Sequence, residues 1–231
     1  MITVDLAETP LRELNARLHA LAPDTPPGAE ERRWRILNPR GQHAIAAGLT
    51  VPIEIEIDGP VGYYCAGMNK EATVTINGHC GWGLAENIMS GLVRVRGNAS
   101  ESAAATGRGG LVVIEGDASS RCGISMKGVD IVVGGSVGHM SAFLAQAGHL
   151  VVCGDAGDHL GDSIYEAVLY VRGKVGSLGA DCIEKEMTPE HVETLRALLA
   201  RAGIEADATA FRRYGSARNL YHFNIDHADA Y

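Results

Sequence analysis

The chain has 231 residues, enough for one domain with a sizeable core, and only 5% of them are aromatic although 29 are glycine. Its formal net charge of −8 at pH 7 gives no reason to expect binding to nucleic acid or to an anionic membrane. No run approaches the roughly eighteen apolar residues of a spanning helix, and no signal peptide is evident, so we expect a cytoplasmic protein. The five scattered cysteines are typical of reduced thiols.

Residues 1–33 predict a short helix followed by a linker. Thr9 and Pro10 form an N-cap and first-turn pair. The leucines that follow share one helical face: Leu11, Leu14, Leu18 and Leu21. Residues 22–33 are rich in proline and charge, which is typical of a linker.

Residues 34–187 are organised by a nineteen-residue repeat. Its marker is a column of seven glycines: Gly59, Gly78, Gly97, Gly116, Gly135, Gly154 and Gly173. Branched or leucine side chains stand four and two positions before each glycine, and a usually more polar residue lies between them, which is the alternation of a β-strand. We interpret each glycine as the residue that permits the turn after the strand. Seven positions past each glycine the residue is always alanine or glycine.

Columns that keep their side-chain size indicate that each coil stacks on the same part of the next. The sequence therefore predicts an all-β core, namely a single-stranded, right-handed parallel β-helix of about seven 19-residue coils with short α-helices at both ends. Residues 34–49 predict an irregular first coil, because Ile36 falls in the branched column but Arg40 replaces the glycine.

Residues 188–231 predict a C-terminal helix and a tail. Thr188 is the expected N-cap, Pro189 the first helical residue, and Gly203 the stop after about Ala202. One face of this helix carries four apolar side chains: Val192, Leu195, Leu198 and Leu199. No element is predicted for residues 211–231.

No pattern in the sequence nominates a catalytic, cofactor-binding or metal site on this chain. Cys65 and Cys122 share a column but lie three coils apart, about 14 Å, which is too far for two zinc ligands. We interpret Cys80 as a core residue and expect Cys153 to point outward. The histidines of the later coils fall in three different columns and do not form a ligand set: His139, His149 and His159.

Two glycine-rich stretches have simpler interpretations than ligand binding. Residues 154–162 resemble one turn of a calcium-binding β-roll, but that motif needs a nine-residue period over several turns, so their aspartates are interpreted as solvated turn residues: Asp155, Asp158 and Asp162. Residues 107–110 lack the lysine and the following helix of a phosphate-binding loop and are interpreted as a coil corner.

One surface column predicts an interface. Three positions before each glycine the residue is polar in the early coils but apolar in the last four: Val113, Val132, Val151 and Tyr170. Stacked coils would merge these side chains into an apolar strip, which marks a covered surface. The sequence leaves two candidates for what covers this strip: the chain's own C-terminal helix and a partner subunit.

Several long stretches resemble a known family, including VGYYCAGMNKEATV (61–74), ATGRGGLVVIEGDA (105–118) and VGHMSAFLAQAGHLVVCGDAGD (137–158). Over about residues 36–185 the chain is similar to the C-terminal β-helix, or GXGXG, domain of the large subunit of glutamate synthase. Within that family it most resembles the free-standing β-helix subunit of N-methylglutamate synthase (methylamine–glutamate N-methyltransferase), and residues 214–223 fit this likeness too.

The resemblance implies a non-catalytic scaffold subunit in a hetero-oligomer. Its partners would be a glutamine amidotransferase-like subunit and an FMN-dependent glutamate-synthase-like subunit, and the latter would carry the FMN and the iron–sulfur cluster. The assembled enzyme would convert methylamine and L-glutamate to N-methyl-L-glutamate and ammonia.

Two other functions stay open. One is a β-helix subunit of a formyltransferase/hydrolase or formylmethanofuran dehydrogenase complex, which shares the coil type. The other is a self-contained carbohydrate-active β-helix enzyme. Such an enzyme usually presents clustered carboxylates and aromatic platforms on one face, and the sequence gives no sign of either.

Overall fold

The computed structural model describes residues 1–23, 25, 26 and 29–218, and their strands form a single eleven-stranded sheet. The strands are β1 (Ile2–Asp5), β2 (Arg33–Leu37), β3 (Glu54–Asp58), β4 (Thr73–Ile76), β5 (Leu92–Val95), β6 (Leu111–Ile114), β7 (Lys127–Val133), β8 (Ala147–Val152), β9 (Val168–Val171), β10 (Cys182–Lys185) and β11 (Arg212–Ser216). The helices are α1 (Leu11–His19) and α2 (Pro189–Ala202). Neither helix in this described part of the chain has the length and apolar composition that crossing a membrane requires.

Strands β1 to β9 pair in parallel, each with the next in sequence. From β3 onward the register follows the sequence columns, so that Ile57 lies beside Ile76 and Ile76 beside Val95. Between β2 and β3 the register differs from the expected one, because Ile36 lies beside Ile57 and not beside Ile55. A second line of parallel bridges joins the residues two past each glycine: Val61, Cys80, Ala99, Ala118, Val137, Ala156 and Val175. The parallel β-solenoid of about seven coils is confirmed.

The interior of the solenoid is filled by small and branched side chains. Ile76 and Val95 reach it from the strands, and Leu84 and Ala85 reach it from the opposite wall, all with no exposed surface. Burial of apolar side chains from both walls is the main source of stability that this architecture offers.

The glycine column is required for a different reason from the one expected. Among its seven members only Gly59 has a left-handed φ, +131°. At Gly135 an added β-carbon would lie 2.9 Å from the backbone carbon and oxygen of Gly116 and 2.2 Å from Asp117 Oδ1. The Gly135 N–H also donates to the Gly116 carbonyl at 2.9 Å. From Gly78 onward glycine is needed because successive backbones touch at this corner, and not because of the turn conformation.

The wall opposite the strands owes its shape to alternating left-handed residues. In six coils the residues five, seven and nine positions past the column glycine have positive φ, for example Tyr64, Ala66 and Met68. Their N–H groups bond alternately to the next and the preceding coil, with Tyr64 donating to Trp82 and Ala66 to Ile45. The small column is therefore buried and left-handed at once, two demands that favour alanine and glycine.

The N-terminal segment closes one end of the solenoid. Helix α1 begins at Leu11 with Pro10 as its N-cap, one residue later than expected, and it buries Leu14 and Leu18. The segment expected to hold only a helix and a linker also supplies β1. Within that linker Arg32 is buried, and its guanidinium donates to three backbone carbonyls, those of Pro23, Thr25 and Pro52.

The C-terminal segment closes the other end. Helix α2 has the predicted bounds, with Thr188 as N-cap and Gly203 in a left-handed conformation at its end. Strand β11, which the sequence did not predict, inserts antiparallel between β9 and β10. It ends the parallel stacking, so the last parallel strand has no free edge there. Residues 219–231, including part of the stretch 214–223, lie outside the described residues.

Replacing Gly135 with alanine should lower the free energy of unfolding by about 3 kcal/mol, the upper end of the range for overpacked sites, because the new methyl group meets backbone atoms that cannot move independently. Urea denaturation followed by circular dichroism measures the change. Gly215→Ala is the matched control: its φ is not left-handed and the nearest atom to an added β-carbon is 3.6 Å away, so we expect a change within about 0.5 kcal/mol. Equal effects of the two substitutions would contradict the explanation.

Candidate interaction surface

The apolar strip predicted as an interface is covered by the chain's own C-terminal helix. Its four side chains have no exposed surface: Val113, Val132, Val151 and Tyr170. They form a second apolar cluster with residues of and beyond α2: Leu195, Leu198, Leu199, Ala202, Ala208 and Phe211. Of the two possible covers, the C-terminal helix is therefore the one present, and the strip is not free to bind a partner subunit.

The length of α2 matches the span of the strip together with the neighbouring strand β5. Fourteen helical residues extend about 21 Å, and the five strands β5 to β9 span about 19 Å. At the far end Arg94 donates to the carbonyl of Ala202 at 2.6 Å and to Glu115 at 2.9 Å. A cation placed there satisfies a terminal carbonyl and opposes the negative end of the helix dipole.

A second polar contact holds the last turn of α2 to the sheet. Asp130 accepts from Arg201 of the helix and bonds to His149 of β8, both at 2.8 Å. Burial alone would raise the pKa of Asp130, but the hydrogen bonds with His149 and Arg201 outweigh it and hold this pKa below its ordinary value. The charged form of Asp130 therefore contributes to the docking of α2.

The part of the sheet that α2 leaves bare is charged and internally paired. Arg33 lies 3.4 Å from Glu54, and Arg35 bonds to Asp58 at 2.7 Å. Two adjoining cavities of about 270 and 210 Å³ lie over these strands and are lined by residues of both signs. Because these charges already have partners, this face offers little to a ligand.

The opposite wall, which we call the turn face, is different. It comprises the outward side chains four to nine positions past each column glycine. It carries large apolar side chains that are exposed or half-exposed: Tyr63, Tyr64, Met68, Trp82, Ile124, Met140, Phe143 and Leu144. An exposed apolar surface of this kind is typical of a binding face.

The most exposed part of the turn face is an aromatic corner formed by His43, Tyr63, Tyr64 and Trp82. The ring of His43 stacks on Tyr63 with centroids 4.4 Å apart, and Trp82 meets Tyr63 edge-on at 6.2 Å. Tyr63, Tyr64 and Trp82 are each 45–47% exposed. The expectation that the sequence holds no aromatic cluster on one face is therefore wrong.

Two glycines make room for these rings. A β-carbon on Gly81 would lie 2.8 Å from Tyr63 Cδ1, and one on Gly83 would lie 2.6 Å from Tyr64 Cδ1. The signal was present in the sequence, because Trp82 stands nineteen residues after Tyr63 and so falls directly above it in the same column.

The cysteines are structural. All five are free and buried. Cys80 lies in the core as expected, and Cys153 points outward from its coil as expected, where α2 covers and buries it. Burial raises the pKa of Cys80 and of Cys122 to about 12, which keeps both as thiols.

Histidines and aspartates serve the stacking of the coils. The rings of His139 and His159 come together, with centroids 6.0 Å apart, although they fall in different columns. Asp155 accepts the N–H of Lys174 in the next coil at 2.7 Å. Four preceding side chains of this column accept the same kind of bond, each from the backbone N–H nineteen residues later: His79, Asn98, Asp117 and Ser136. Among the described residues no three histidine, cysteine, aspartate or glutamate side chains are grouped for a metal ion.

Comparison with known proteins gives one informative match. The chain is 60% identical over 232 residues to "Protein GlxC" of Rhizobium meliloti (strain 1021), and the alignment covers all of both chains. No family model matches the chain. No solved structure matches it either.

The docking of α2 should depend on pH through Asp130. Because its folded-state pKa is lowered, its contribution to stability is complete above the unfolded pKa, near 4, and is lost as the pH falls through the folded value. Asp130→Asn should lower the free energy of unfolding by about 2 kcal/mol at pH 7 and by progressively less below pH 4. Denaturant unfolding at a series of pH values measures this.

The matched control is Glu193→Gln, which removes an exposed ion pair with Arg196 on the same helix and should change stability by less than about 0.5 kcal/mol at any pH. A difference between wild type and Asp130→Asn that stays constant down to pH 2 would contradict the role given to Asp130.

Proposed function

The chain belongs to the family of Protein GlxC, and from this premise we propose that it is the β-helix subunit of a glutamate-synthase-like complex. We also propose that this complex is N-methylglutamate synthase, which converts methylamine and L-glutamate to N-methyl-L-glutamate and ammonia. The residues that carry the family resemblance, such as 61–74 and 105–118, lie in the coils themselves.

The observation that carries the proposal is the packed interior of the solenoid. Ile57, Val112 and Leu150 have no exposed surface, and the opposite wall is equally closed by Ala66 and Ala142. A rod whose interior is filled by buried side chains acts through its outer surface. Holding two larger subunits in a fixed relation is a task suited to such a rod, because each coil is bonded to its neighbours along two lines.

The partners in this proposal are a glutamine amidotransferase-like subunit and an FMN-dependent synthase-like subunit. The chain's own residues do not suit an iron–sulfur cluster, since its thiols are buried in separate coils and Cys80 and Cys122 have raised pKa values. We therefore assign both the cluster and the FMN to the second partner. The β-helix subunit would keep the two active sites in register, so that a reactive nitrogen compound passes between them without release.

Co-expression of the affinity-tagged chain with the two candidate partners should yield a three-protein complex that shows the visible absorbance of flavin. The control is the flavoprotein of an unrelated amidotransferase system. The tagged chain should not retain it, so it should appear in the flow-through. If the chain instead retains an amidohydrolase-like metalloprotein from its own organism and no flavoprotein, the formyl-transferring alternative replaces this proposal.

The purified chain alone should turn over neither glutamine nor methylamine. Ammonia release and N-methylglutamate formation are measured with the chain alone and with the reconstituted complex, and we expect product only from the complex. Sustained turnover by the chain alone, at a rate that follows its concentration through a final gel-filtration step, would overturn the scaffold role.

A further inference from the structure

We propose that the aromatic corner formed by His43, Tyr63, Tyr64 and Trp82 is the docking site for a segment of a partner subunit that presents an arginine or lysine side chain. This inference rests on the proposed function, because it takes the partner to be one of the two subunits named there. It adds the location of the contact and the chemistry of what binds.

The fold does not require aromatic residues at this place. The column that holds Tyr63 and Trp82 continues through the later coils with small or polar side chains: Glu101, Ser120, His139 and Asp158. Those coils stack with the same register and the same bridges. The rings therefore contribute nothing that stacking needs, and they leave almost half of their surface in water.

The rings are held in place although they are exposed. The Tyr63 N–H donates to His43 Nδ1 at 2.8 Å, and the imidazole stacks on the phenol ring. The Tyr64 N–H donates to the Trp82 carbonyl at 2.8 Å, and this bond fixes Tyr64 in its left-handed conformation. Side chains ordered before binding lose little entropy on binding, and tyrosine and tryptophan are the residues that most often dominate interface affinity.

The charges around the corner favour a cation. Glu86 Oε2 and the ring of Tyr64 flank the same glycine, at 3.2 and 2.6 Å from the position of a β-carbon on Gly83. Glu101 follows Trp82 in the next coil, and its carbonyl accepts the Gly83 N–H at 3.0 Å. Aromatic faces attract guanidinium and ammonium groups, and neighbouring carboxylates strengthen that attraction.

Two other occupants fit less well. A second copy of the chain would bring together two molecules that each have a net charge of −8 and carry carboxylates at the contact. A sugar ring stacks on a flat aromatic surface, but Tyr63 stands at 88° to Trp82 and at 82° to Tyr64. Rings at right angles form a corner that encloses a pointed group better than a flat one.

The test measures the dissociation constant of the purified full-length chain with each purified partner subunit by biolayer interferometry, at low and at physiological salt. Trp82→Leu keeps an apolar side chain but removes the π-system, and it should weaken binding to one partner at least tenfold. Trp82→Phe keeps an aromatic face and should stay within about threefold of wild type. Glu86→Lys should weaken the same interaction and reduce its salt dependence.

The matched control is Tyr165→Leu, which removes a tyrosine of the same exposure, 47%, several coils away and should leave both constants unchanged. Thermal unfolding of each variant verifies the fold, which these exposed substitutions should not disturb. Trp82→Leu binding as tightly as wild type would overturn the corner as the docking site while the scaffold proposal stands. Equal losses for Trp82→Leu and Trp82→Phe would overturn the cationic occupant.

A wild-type chain that binds neither partner would overturn both proposals. Light scattering that shows a Trp82-dependent dimer would assign the corner to a second copy of the chain. Binding of an immobilised polysaccharide array that is abolished by Trp82→Leu would assign it to a sugar. Either result would replace the partner segment as the occupant.

Discussion

The structure depends above all on the direct stacking of one backbone on the next at a spacing of about 4.8 Å. At the corner after each strand the glycine N–H donates to the glycine carbonyl of the coil below, from Gly97 onward to Gly173. A β-carbon here would meet backbone atoms, so this contact determines which residue can occupy the column. The nineteen-residue step, the parallel register and the small interior all follow from it.

Stacking of this kind produces two outer walls with different properties. The strand wall presents alternate side chains outward, and in the later coils these are apolar and need a cover, which α2 provides. The turn face has alternating left-handed residues and presents side chains that the coil geometry does not constrain. The strand wall therefore serves mainly the chain's own folding, whereas the turn face can carry residues for recognition.

The two outer surfaces have different parts in the proposed scaffold function. A packed rod of the GlxC family, with buried thiols and no grouped metal ligands among its described residues, is well suited to positioning other subunits. Its stiffness comes from the two lines of bridges, and its recognition is assigned to the aromatic corner. Because Tyr63 and Trp82 belong to the first coils, the proposed contact lies toward the end that α1 closes, while α2 lies along the strand wall of the later coils.

By itself the sequence determined the coil number, the register and the bounds of α2, because these follow from local repetition and from capping residues such as Thr188 and Gly203. Only the tertiary structure decided what covers Val132 and Tyr170, since a helix that begins 57 residues after Val132 and 19 after Tyr170 competes with any partner for that strip. It also decided the insertion of β11 and the gathering of His43 with Tyr63 and Trp82. Such contacts join segments far apart in the chain, and a repeat pattern specifies only how neighbouring coils meet.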